Sequence, residues 1–171
     1  MKILRAVEGG AVRFLRVASA VIFAALVVFV TIQVFTRQIL QSPAAWTEEA
    51  ARYTFIVAVY LTAALVFFER GHIAVQMLLR RLKPRPQLVL ATVLEVMVFA
   101  FCAYVFVYGG ARIVANAWNQ GLVAIPGTVG MVYLVMPIAG VLICLSSLVQ
   151  VVRMWRGEIP ALPATDEDIE V

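Results

Sequence analysis

Val17 through Thr36 is a run of twenty residues without a charge, held between Arg16 and Arg37. A bilayer's hydrocarbon core is about 30 Å thick, which an α-helix crosses in about 20 apolar residues, so this run is long enough to span it. It is too long for the apolar region of a secretory signal, which has about 7–15 residues, and "RQILQSPAAW" is a poor cleavage site, so an uncleaved helix is expected. Similar runs recur. Of the 171 residues 63% are hydrophobic and only 14% charged, and the mean hydropathy is +0.95, far from the balance of a soluble domain. The expected fold is an all-α integral membrane protein with four transmembrane helices, at about 17–36, 43–68, 87–113 and 128–152. No room remains for a soluble catalytic domain.

Ser42 and Pro43 form a good start for the second helix, a serine cap before a proline in first position. The segment "HIAVQMLLRRLKPRP" follows it, with Val75, Leu78, Leu79 and Leu82 at helical spacing and His72, Gln76, Arg80 and Lys83 on another face. This predicts an interfacial amphipathic helix at about 72–83, stopped by Pro84 and Pro86. Pro137 should kink the fourth span, and the acidic, proline-containing tail 157–171 should be disordered, leaving 1–156 as the membrane domain.

Lysine and arginine beside span ends favour the cytoplasm. Eleven of the fourteen fall on one side and only Arg37, Arg52 and Arg112 on the other. Both termini are therefore expected inside, the N-in/C-in arrangement that an even number of spans requires. Trp46 and Trp118 would then mark the outer interface and Trp155 the inner one. The excess of basic residues flanks apolar runs, so it speaks for a bilayer and against nucleic acid.

Two places can carry function. "AWTEEAARYTF", residues 45–55, puts charges at the outer mouth of the second span. Glu48 and Arg52, four apart, can pair, while Trp46, Glu49 and Tyr53 line an adjoining stripe. Such a cluster is either an interfacial anchor or a docking or ion-handling site that faces another protein. The second place is Glu95, about 15 Å into the membrane by helical rise, with Tyr60 and Ser146 or Ser147 at similar depth. It is either a proton or cation carrier or a hydrogen-bonded tie between helices. Cys102 and Cys144 lie deep in spans without CxxC spacing and are expected as small packing residues, and a single histidine, His72, supplies no haem or metal site. Without clusters of His, Cys or Asp in the spans, no enzyme chemistry and no cofactor are expected.

The order of these motifs resembles the small membrane subunit of tripartite ATP-independent periplasmic (TRAP) transporters, the DctQ family. The resemblance rests on "WTEEAARYTF" opening the second span, "ERGHIAVQMLLRRL" closing it, and the proline-containing last helix "IPGTVGMVYLVMPIAGVLICLSSLVQVVR", across residues 10 to 156. Gln76 stands where the family often has an aspartate. The resemblance implies an accessory subunit of the bacterial inner membrane that supports a larger permease in sodium-coupled uptake of an organic acid. A periplasmic binding protein would deliver that acid, and sodium would bind the large subunit. Trp46, Glu48, Glu49, Arg52, Tyr53 and His72 are then candidates for docking. The rival reading is a stand-alone four-helix exporter that uses Glu95.

Overall fold

A computed structural model of the chain describes residues 2–42, 44–69 and 83–159. Within these it is helical, with four helices long and apolar enough to cross a membrane. The expected interfacial helix at 72–83, with His72, falls almost wholly on residues 70–82, outside the described residues, as do Pro43 and 160–171.

The first span, α1, is Lys2–Gln38, 37 residues or about 55 Å at helical rise, so it outruns a bilayer core at its N-terminal end. Its hydroxyls do not break it, because Thr31 donates to the Val27 carbonyl at 2.7 Å and Thr36 to that of Ile32 at 2.9 Å. Such back-bonding leaves no polar group for lipid to satisfy. A short turn with Gln41 at φ 49° reverses the chain. The second span, α2, is Ala45–Phe68. It starts two residues later than expected and without the serine cap: Ala44 takes the cap position with no side-chain bond, and Thr47 Oγ1 donates to the Ala44 carbonyl at 2.7 Å. Ala50, Ala51, Ala58 and Ala64 are buried along α2, the small-residue packing by which helices approach closely in lipid. At the far end Arg16 meets Glu69 at 2.6 Å and closes the α1–α2 hairpin.

The third span is α3, Pro84–Phe101, a π-helical stretch Cys102–Gly109, and α4, Gly110–Ala117. Pro84 and Pro86 sit in its first turn, where a missing N–H costs no intrahelical bond. The fourth is α5, Val129–Tyr133, a break at Leu134, and α6, Val135–Trp155. In place of the kink expected from Pro137, the helix is interrupted at Leu134, next to the Tyr133 carbonyl for which the proline has no N–H. The two irregularities nest together. A Cβ on Gly140 would stand 2.7 Å from Phe106 Cβ in the π-stretch, and one on Gly110 3.1 Å from Pro137 Cδ. At Gly140 a side chain would force the two helices apart, and at Gly110 it would be tight.

The core runs through α2, the π-stretch and α6, around Ala64, Cys102, Ala139, Ile143 and Cys144, with both thiols free and buried. At the C-terminus Gly157, at φ 68°, ends α6 while the Gly157 and Glu158 amides donate to the Met154 and Arg153 carbonyls. Ile159 then packs on Ala91 and Met154.

Candidate functional site

The α1–α2 turn, the start of α2 and the 118–128 loop meet at one end of the bundle. On the surface there, Arg52 Nη2 lies 3.1 Å from Glu48 Oε1, an i,i+4 pair with both side chains more than 60% exposed. Trp46 is also exposed. Glu49 turns elsewhere. Its Oε1 accepts the Val123 amide at 2.9 Å and its Oε2 the Ala124 amide at 2.7 Å, residues more than seventy positions away.

Those amides belong to a small hairpin. The Leu122 amide donates to the Gly127 carbonyl at 3.1 Å and the Val129 amide to that of Gln120 at 2.9 Å, with Gly127 at φ 147°, a value that favours glycine. A loop tip has no helix or sheet to satisfy its amides. The carboxylate supplies that partner, and a charged acceptor makes the stronger bond. The tip is thus fixed with Val123 94% exposed. Tyr53, one turn deeper, lines an open groove of about 730 Å³ with Ile22 and Ala25 of α1, Val57 and Leu61 of α2, and Met131 and Ile138 of the fourth span. The expected stripe therefore divides: Trp46 faces out beside the Glu48–Arg52 pair, Glu49 holds a loop, and Tyr53 borders an apolar groove.

Toward the other end, α6 is tied to its neighbours by polar side chains. Ser147 Oγ lies 2.6 Å from Glu95 Oε2 and 2.8 Å from the Glu95 carbonyl. Of the partners expected for Glu95, Ser147 meets it; Ser146 instead accepts from Gln150 Nε2 at 2.8 Å. Tyr60 packs its ring edge-on to Phe106, centroids 5.5 Å apart, and is spent on aromatic packing. Gln150 also donates to the Phe67 carbonyl at 3.0 Å, near the end of α2. Trp155 Nε1 donates to Thr92 Oγ1 at 3.0 Å. Gln150 and Thr92 were not among the expected site residues, since an uncharged polar residue within an apolar run gives no signal of which neighbour it will meet. Among the described residues no three His, Cys, Asp or Glu side chains gather into a group that could hold a metal.

The chain matches the family described as "Tripartite ATP-independent periplasmic transporters, DctQ component" over residues 26–157. That stretch contains the Glu48–Arg52 pair, the Glu49-held loop and the Glu95–Ser147 tie. It is also similar to a protein of Haemophilus influenzae provisionally described as a TRAP transporter small permease protein. The two are 28% identical over 144 residues, which cover 81% of this chain and 88% of the relative.

Proposed function

From the chain's membership of the DctQ family of TRAP transporters, we propose that it is the accessory membrane subunit that steadies a larger permease during uptake of a solute. In this reading a sodium gradient drives uptake of an organic acid, a periplasmic binding protein delivers it, and both sodium and solute bind the large subunit. The chain lies in the bacterial inner membrane with both termini in the cytoplasm, as its basic flanks favour.

One observation carries the scaffold role: polar side chains within the spans tie helices together, Glu95 of α3 to Ser147 of α6 and Gln150 of α6 to the Phe67 carbonyl of α2. A carrier needs such groups around a cavity at mid-membrane, formed where helices are unwound and able to rearrange. Here the π-stretch packs on α6 at Gly140, and α4 packs through Gly110 on Met136 and Pro137, just past the Leu134 break. A body held this way suits a fixed support against which a mobile partner moves.

Reconstitution tests the reading. Proteoliposomes that hold this chain and the large subunit, supplied with the binding protein and an inward sodium gradient, should accumulate the organic acid, and omission of any one component should stop it. Solute movement by this chain alone, lost on Glu95→Gln, would instead establish the exporter.

A further inference from the structure

The third span carries two tyrosines and an arginine on its outer surface. Tyr104 is 71% exposed and Tyr108 53%, their rings stacked with centroids 5.8 Å apart and planes 21° from parallel. The Arg112 guanidinium lies 5.5 Å from the Tyr108 ring centroid. Met97 and Phe101, both more than half exposed, extend this surface along α3.

The π-stretch aligns the stripe. In an α-helix residue i+4 falls about 40° past residue i, whereas the wider π turn, bonded i to i+5, brings i+4 back the other way. Tyr104 and Tyr108 lie within Cys102–Gly109 and Arg112 just beyond it, so the three stand nearly in one line.

Depth decides what can cover them. Pro84 to Ala117 is a helix about 50 Å long, and a core of about 30 Å centred on it takes roughly twenty residues, reaching to about residue 110. Tyrosine is at home at the interface, but both rings start inside this limit, and helical side chains lean toward the helix N-terminus, here deeper still. Among the described residues neither phenol has a hydrogen-bond partner. A hydroxyl left so in hydrocarbon costs several kcal/mol on the cyclohexane scale, about 4–8. Acyl chains offer no acceptor, and Arg112 at the edge asks for an anion or a carbonyl.

We propose that this stripe of α3, the π-stretch and α4 is the face on which the large membrane subunit docks, through a transmembrane helix that offers oxygen acceptors to the two phenols and a carboxylate or carbonyl to Arg112. The composition fits: aromatic residues, methionine and arginine are the side chains enriched at protein interfaces and at their energetic centres. The inference rests on the accessory-subunit reading and adds which surface of the chain does the work.

The test is photo-crosslinking in the whole complex, co-expressed in native membranes. A benzophenone amino acid is placed in turn at Tyr104, at Tyr108 and, as a control, at Leu148 of α6, which is half exposed. Illumination should join the first two sites to the large subunit at least tenfold more efficiently than the third. Arg112→Glu should lower the large subunit retained on a tagged chain about tenfold while leaving its tryptophan fluorescence unchanged. A tagged wild-type chain that retains the large subunit, yet crosslinks to it from Leu148 and not from the tyrosines, overturns the docking face and leaves the accessory role standing. Crosslinks from the tyrosines only to lipid or to a second copy overturn it equally. A wild-type chain that retains no large subunit removes both.

Discussion

Gly140→Ala should destabilise the bundle relative to Gly109→Ala, although both replace a helical glycine in the membrane by the same residue. The added Cβ at position 140 would lie 2.7 Å from Phe106 Cβ, 3.1 Å from Val107 Cγ2 and 3.2 Å from the Phe106 carbonyl carbon. Carbon contacts are most favourable at about 3.5–4.0 Å, so α6 and the π-stretch must part by roughly 1 Å. Overpacking of this kind costs about 1–3 kcal/mol. At position 109 the nearest atom is the Tyr104 carbonyl oxygen at 3.6 Å, an ordinary contact. Both variants gain the same helix propensity, about 1 kcal/mol over glycine, which cancels in the comparison. The difference is then about 1–3 kcal/mol, or a factor of about 5 to 150 in the unfolding constant. Equilibrium unfolding in mixed micelles, followed by tryptophan fluorescence, measures it. Equal stability of the two variants within about 0.5 kcal/mol would refute the claim that the two irregular helices interlock at Gly140.

Glu49→Gln should free the 118–128 hairpin: the Val123 and Ala124 amides should exchange with deuterium at least tenfold faster, while the amides of α2 keep their protection. Ser147→Ala and Glu95→Leu should be non-additive in a double-mutant cycle, with a coupling of about 0.6–1.7 kcal/mol as for other hydrogen bonds between membrane helices; a value indistinguishable from zero would break the tie. Gln150→Leu should cost about 1–3 kcal/mol in micelle unfolding, because it removes the Ser146 and Phe67 contacts at once and leaves polar groups without that partner. Arg52→Gln, which breaks an exposed i,i+4 pair, should change stability by no more than about 0.5 kcal/mol, so any loss of assembly in that variant reports docking and not folding.

The number of spans was legible because the bilayer's thickness sets the length of an apolar run, and the four runs persist as helices. Their ends moved for local reasons. Arg13 and Arg16 end the apolar run but not α1, since charge ends burial in lipid and leaves helical backbone intact. The Ser42 cap gave way to Ala44 because capping competes with turn geometry, here set by Gln41 at positive φ. Of the site, the Glu48–Arg52 pair could be read directly, since four residues of helix fix its geometry. Depth put Tyr60, Ser146 and Ser147 within reach of Glu95, but depth could not choose Ser147 among them, since they differ in the face they present. The hold of Glu49 on the Val123 and Ala124 amides was illegible, as it joins residues 74 and 75 positions apart through a loop whose shape the sequence pattern does not carry. The π-stretch is likewise made by packing: nothing in "CAYVFVYG" announces it until Gly140 is set against Phe106.

The central claim is that this chain works as part of a complex with a larger membrane protein. The measurement that tests it most directly is affinity purification of the tagged chain from its native membranes in mild detergent, with the retained proteins identified and weighed by mass spectrometry. The account predicts a multispan permease in equal molar amount with this chain. Recovery of the chain alone, or only with further copies of itself, would contradict it.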